Sequence, residues 1–122
     1  MSKENVLNGK YISRHDNGKK YVECIYKDGK RHGKWTSWHA NGKKSYEGTY
    51  KGIELHGKYR AWHANGEKKN ESTYVNGKLH GKSTYWDENG EKYSERTYEN
   101  GRRVGKAAVE YSKYEILNLK KD

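Results

Sequence analysis

Apolar and polar positions recur along this chain with a period of 24 residues, marked by glycines at 9, 33, 57, 81 and 105 that are each followed by lysine. In the most regular unit, GKWTSWHANGKKSYEGTYKGIELH (33–56), aromatic residues are spaced for a strand on both sides of an Asn-Gly pair. The same pair stands at 17–18, 65–66 and 89–90, with Glu23, Glu47, Glu71 and Glu95, and Tyr26, Tyr50, Tyr74 and Tyr98, in the same register. Asn-Gly between strand-like runs signals a β-hairpin with a type I′ turn. A fixed period of this size marks a repeat architecture in which each unit packs mainly on its neighbours. The expected fold is all-β: a single-layer antiparallel meander of serial 24-residue hairpins, elongated and twisted. Residues 1–8 read as an N-terminal arm, 9–104 as four repeats, and 105–122 as a degenerate fifth repeat with a C-terminal cap.

With Asn41-Gly42 as the turn, Ala40 faces Lys43, Trp38 faces Ser45 and Trp35 faces Gly48. A second set of turns links successive units at Asp28-Gly29, Asn76-Gly77 and Asn100-Gly101; unit two has Gly52-Ile53 there, so its turn differs. This register sets Glu23 against Lys34, Glu47 against Lys58, Glu71 against Lys82 and Glu95 against Lys106, cross-strand pairs worth roughly 0.2–1 kcal/mol each. One face then carries Tyr11, Trp35 and Tyr59 with Tyr26, Tyr46, Tyr50, Tyr74, Tyr98 and Val22. The other carries Trp38, Trp62 and Trp86 among the Lys–Glu pairs and the threonines Thr49, Thr73 and Thr97. At the C-terminal end, alternation of Ala107, Val109 and Tyr111 suits a last strand, whereas Ala107, Tyr111, Tyr114 and Leu117 would line a helix face. The reading preferred is a strand with an irregular or helical end.

Mean hydropathy is −1.46 and 34% of residues are charged, which alone would suit a disordered chain. The 12 Tyr and 4 Trp, most of them in fixed register, change that picture, because aromatics favour strands and carry a large burial payload. No proline interrupts the pattern. The single Cys24 shares its register with Gly48, Ser72 and Arg96, so it reads as a small structural residue and suits a reducing cytoplasm. No apolar run approaches a transmembrane length.

Candidate chemistry is sparse. Six histidines fall into two registers, His15, His39, His63 and His32, His56, His80. Neighbours within a register should stand roughly 9–10 Å apart, two strand spacings, too far to share a zinc ion held at about 2 Å. The two registers fall on opposite faces in the expected pairing, so no metal is expected. The phosphate-cradling, H-E-x-x-H and G-x-S-x-G motifs are absent, so neither enzymatic activity nor a cofactor is expected. Formal net charge is +10, with +8 in residues 1–61 and +2 in residues 62–122. That asymmetry points to an acidic partner met by the N-terminal half. The candidate partner-binding residues are the tryptophans Trp38, Trp62 and Trp86 and the cations Lys19, Lys20, Lys27, Lys30, Arg31, Lys43 and Lys44. A ladder of rings interleaved with lysines can hold a protein loop or stack bases.

The units G-K-W-T-S-W-H-A-N-G-K-K-S-Y-E-G-T-Y and G-K-Y-R-A-W-H-A-N-G-E-K-K-N-E-S-T-Y resemble the MORN repeat variant over about residues 9–111. That family occurs in many bacterial proteins, including antitoxins of toxin–antitoxin systems. The resemblance implies serial β-hairpins and carries over no catalytic motif; Trp38, Asn41, Gly42, Lys44, Glu47 and Tyr50 match repeat-defining positions. Related MORN repeats are associated with membranes and phosphoinositides, but this chain lacks an amphipathic anchor. The expected function is a non-enzymatic inhibitor, antitoxin-like, of a toxin or nuclease, with a protein or ribonucleoprotein target. Direct binding of RNA or single-stranded DNA is the alternative, and a scaffold or homo-oligomer built through sheet edges is the third reading.

Overall fold

The computed structural model describes the backbone of residues 7–110 and side chains from 7 to 105. Among the described residues eleven strands form one open antiparallel sheet: β1 (Gly9–Arg14), β2 (Lys20–Lys27), β3 (Lys30–Trp38), β4 (Lys44–Lys51), β5 (Glu54–Leu55), β6 (Gly57–Trp62), β7 (Lys68–Val75), β8 (Lys78–Leu79), β9 (Gly81–Trp86), β10 (Lys92–Glu99) and β11 (Arg102–Glu110). The main path is β1-β2-β3-β4-β6-β7-β9-β10-β11, while the short β5 and β8 pair with β4 and β7. Along this path each strand neighbours the one that follows it in the chain, as the expected meander requires, and the described residues include no helix. The expected last strand is present as far as Glu110; the proposed cap and the first six residues of the arm lie outside the described residues. Leu7 and Asn8 at the arm's end meet the first linking turn: the Leu7 carbonyl accepts from Gly29 N–H and Asn8 Oδ1 accepts from Asp28 N–H.

The linking turns are tight two-residue turns, as expected, whereas the Asn-Gly loops within units are not the type I′ turns expected of them. Positive φ at both central residues occurs at Asp28-Gly29 (53°, 79°), Asn76-Gly77 (51°, 81°) and Asn100-Gly101 (52°, 83°), so the linking turns are the type I′ turns. Gly52-Ile53 has positive φ only at Gly52 (67°), the altered turn expected of unit two and a type II′ shape. At 41–42 only Gly42 is left-handed, at 92°. The loop closes through Gly42 N–H to the His39 carbonyl (2.9 Å) and His39 N–H to the Lys43 carbonyl (2.7 Å), a type I turn followed by a left-handed glycine. The extra residue bulges β4, so Trp38 faces Lys44 and not Ser45, Ala40–Lys43 is not a strand pair, and Trp35 keeps Gly48.

Asparagine recurs here because its amide joins one unit to the next. Asn41 Oδ1 accepts from Lys43 N–H (2.9 Å), and Nδ2 donates to the Ala64 carbonyl of the following loop (2.7 Å). Asn17 and Asn65 do the same towards Ala40 and Glu88. The histidines add a second stitch, His15, His39 and His63 placing Nε2 at 2.8–2.9 Å from the carbonyls of Trp38, Trp62 and Trp86. The fourth position is Asp87, whose carboxylate instead accepts from its own loop at Asn89 and Glu91 N–H. The other histidine register lies by the linking turns, where His56 Nδ1 accepts from Asn76 N–H. Among the described residues no three metal-ligating side chains converge.

The unit-opening glycines also change the register. Gly33 has φ of 74°, and three residues, His32 to Lys34, face the single Ile25. Glu23 is thereby moved from Lys34 to Thr36. Glu47 faces Arg60, Glu71 faces Thr84, and Glu95 faces Val109, so none of these glutamates faces the lysine expected opposite it. The unit-opening lysines reach the glutamate of their own unit: Lys10–Glu23 at 3.3 Å, Lys34–Glu47 at 3.8 Å and Lys82–Glu95 at 3.1 Å, with Arg60–Glu71 at 3.0 Å in unit three.

Packing concentrates on one face and changes chemistry along it. In the N-terminal half Val22, Cys24 and Trp35 are buried, with Tyr26, Tyr46 and Tyr50 packed against them. Size alternates across the strands: Gly48 lies between Trp35 and Tyr59, and a Cβ there would stand 3.3 Å from the Tyr59 ring. In the C-terminal half this face buries Asn70, Ser72 and Ser83, while Thr84 on the other face and Asp87 after β9 are also buried. Ser72 and Ser83 share a 2.7 Å hydrogen bond, and Asn70 Nδ2 donates to Ser72 Oγ and the Thr84 carbonyl. The serine at 83 that replaces the unit's first aromatic is thus half of a satisfied polar pair, which the interior requires.

Candidate binding face

Trp38, Trp62 and Trp86 end β3, β6 and β9 on the face opposite Trp35, each half-buried. The bulge after each Asn-Gly loop brings the lysine at 44, 68 or 92 opposite the tryptophan of its own unit. The lysine then reaches across to the next unit. Lys20 Nζ lies 5.5 Å from the Trp38 ring, Lys44 5.6 Å from Trp62 and Lys68 5.4 Å from Trp86. These are cation–π distances. The result is an alternating stripe, Lys20–Trp38–Lys44–Trp62–Lys68–Trp86–Lys92, running across the hairpins.

Each of these lysines also meets the glutamate three residues on, at 2.7 Å (Lys20–Glu23), 3.2 Å (Lys44–Glu47), 3.7 Å (Lys68–Glu71) and 3.0 Å (Lys92–Glu95). Hydrogen bonds from Lys20 and Lys10 hold the Glu23 carboxyl below its ordinary range, Lys92 and Lys82 do so for Glu95, and Arg60 for Glu71. These carboxylates stay ionised at neutral pH and hold the lysine stems against the indoles. Between Trp62 and Trp86 lies an open recess of about 480 Å³, bordered by Gly66, Glu67, Lys68 and Gly90.

The ten residues singled out from the sequence do not form one site. Trp38, Trp62, Trp86, Lys20 and Lys44 form the stripe. Lys19 and Lys43 lie on the crest of the Asn-Gly loops, their Nζ atoms 3.4 and 3.3 Å from the carbonyls of Asn41 and Asn65. Lys27 and Lys30 flank the linking turn at the opposite long edge and face each other. Arg31 belongs to the tyrosine face: its guanidinium lies 4.2 Å from the Trp35 ring centre and donates to Tyr50 Oη at 3.3 Å. Lys68 and Lys92 continue the 24-residue series of Lys20 and Lys44 but lie outside the positively charged first half, so the charge asymmetry does not single them out.

The tyrosine face is the more enclosed. Tyr46, Tyr59 and Tyr74 pack ring against ring, with centroids 6.0 and 6.1 Å apart, and burial raises all three phenol pKa values. Burial likewise raises the Cys24 thiol, which is 1% exposed and so ill-suited to nucleophilic chemistry.

No curated protein matches the chain. The family model of the MORN repeat variant matches residues 7–28, 31–51, 55–76 and 79–100, one hairpin unit per match. With four matched units covering most of its length, the chain belongs to the MORN repeat variant family.

Proposed function

We propose that the protein is a non-enzymatic binding protein, an antitoxin-like inhibitor that occupies an acidic or nucleic-acid-bearing surface of a toxin or nuclease. The observation that carries this reading is the Lys–Trp stripe, whose indoles stand on the face opposite the buried cluster and are half-exposed. Tryptophan is among the side chains that most often anchor a protein interface, and occupation alone suffices for inhibition. The antitoxin role rests on the family's occurrence among antitoxins. Glu23, Glu47, Glu71 and Glu95 pair with lysine or arginine and Cys24 is buried, which gives these groups charge-pairing and packing roles. The lone buried thiol suits a reducing cytoplasm.

The test is affinity capture from the native host, with and without nuclease, using the wild-type chain and Trp62→Ala. Recovery of a discrete protein in both treatments, and its loss with Trp62→Ala, supports the reading. Recovery only without nuclease moves the ligand to RNA or single-stranded DNA, the alternative that the interleaved lysines and rings favour. That alternative predicts steep salt dependence. Equal capture by Trp62→Ala and wild type refutes the stripe as the site.

A further inference from the structure

Unit one differs from the others on the face that carries the Lys–Trp stripe. It has isoleucine at 12 and 25, where the same registers hold Thr36, Arg60 and Thr84, and Thr49, Thr73 and Thr97. Both isoleucines are exposed, by 38% and 42%. They share the face of Glu23, because Val22, Cys24 and Tyr26 point the other way into the buried cluster. Ile25 Cδ1 lies 3.8 Å from where a Cβ on Gly33 would stand, whereas nothing lies within 4 Å of the same position on Gly57 or Gly81. Beside Ile25 is an open recess of about 340 Å³ with a mostly apolar wall, bordered by Lys10, Glu23, Lys34 and Thr36. Trp38 follows Thr36 by two residues on the same face of β3, roughly 7 Å away. The recess is thus the N-terminal end of the stripe.

From this arrangement we infer that the Ile25 recess is an anchor pocket for a protein partner, taking one aliphatic side chain that the partner presents between acidic residues. An exposed isoleucine alone is ordinary; here it walls a recess and has cations on both sides. Lys10 stands directly across the strands from Ile25, and Lys34 follows Gly33 on the other side. Both lysines are mostly exposed. Each nearby carboxylate is shared by two lysines: Glu23 by Lys10 (3.3 Å) and Lys20 (2.7 Å), Glu47 by Lys34 (3.8 Å) and Lys44 (3.2 Å). Each of these triads therefore keeps one net positive charge after its internal pairing, which complements a carboxylate on the partner. A single nucleic-acid strand fits the recess less well. Its phosphates suit the lysines, but its apolar surface is a ring face, which stacks on tryptophan and finds no ring in the Ile25 wall. The inference rests on the proposed function in taking the partner to be a protein met on this face, and it adds the chemistry of the segment that is held.

The test is amide NMR of the full chain titrated with a synthetic peptide that carries one leucine between two pairs of aspartates in a Gly-Ser frame. The expected result is a set of shifts centred on the amides of Ile25, Gly33 and Thr36. Serine in place of the peptide's leucine should weaken binding about 10-fold. Ile25→Thr should weaken it about 5-fold; it installs the residue that three other units carry at this register, so the sheet tolerates it. Lys10→Gln/Lys34→Gln should weaken it by a similar factor. Trp62→Ala should bind the peptide as wild type does, because the recess is complete without Trp62. Failure of the recess and failure of the stripe are therefore read separately. No shift at the recess amides, equal binding of the leucine and serine peptides, undiminished binding by Ile25→Thr, or loss of the peptide in Trp62→Ala each overturns the proposal.

Discussion

Replacing Trp35 with alanine separates the two tryptophan series. Trp35 is 8% exposed, lies in the Val22–Cys24 cluster, donates Nε1–H to Tyr46 Oη and carries the Arg31 guanidinium over its ring. A buried Trp→Ala change costs about 3–5 kcal/mol. In a single-layer sheet the space left opens towards solvent and is not a sealed void, which places the cost near the lower end, about 3–4 kcal/mol. For a chain of this size that lowers the melting midpoint by roughly 15 °C. Trp62→Ala removes a half-buried ring and one cation–π contact, about 1–1.5 kcal/mol. Urea unfolding followed by far-UV circular dichroism measures both. Equal losses for the two variants, or a Trp35→Ala loss within about 1 kcal/mol of wild type, would refute the division into a packing series and a surface series.

Two further outcomes follow from the ladders. Glu23, Glu71 and Glu95 have folded pKa values below the ordinary 4.5, so their contribution is present above that pH and is lost as pH falls through the folded values. The urea midpoint should drop on acidification below 4.5, and Glu71→Gln should shallow that drop; an unchanged slope would show that the pair with Arg60 contributes nothing. Asn41→Asp keeps the acceptor for Lys43 N–H but replaces the donor to Ala64 with an oxygen, and should cost about 0.5–1.5 kcal/mol in the same unfolding assay. No loss would mean that the loops are not joined through this amide.

The fold was legible because the period is strict and hairpin chemistry is local. Glycine, Asn-Gly and aromatic spacing specify strands whose partners lie next in sequence. The register was less legible. Asn-Gly carries the same letters whether it forms a two-residue turn or ends a type I loop, and the contact that Asn41 makes with Ala64 in the longer loop lies 23 residues on. The left-handed Gly33 then moved Glu23 away from Lys34. Trp38 and its relatives were placed on the correct face because the bulge at Ser45 follows the tryptophan and leaves alternation along β3 intact. The polar pair Ser72–Ser83 was hidden because residues 11 apart meet only once the bulged register is known.

The Lys–Trp stripe is proposed as a surface for a partner and not as a support for the sheet. Affinity capture by Trp38→Ala/Trp62→Ala, run beside its thermal melt, separates the two roles. The variant should stay folded and lose the captured partner. Retention of the partner by a folded variant, or unfolding of the sheet, would refute the proposal.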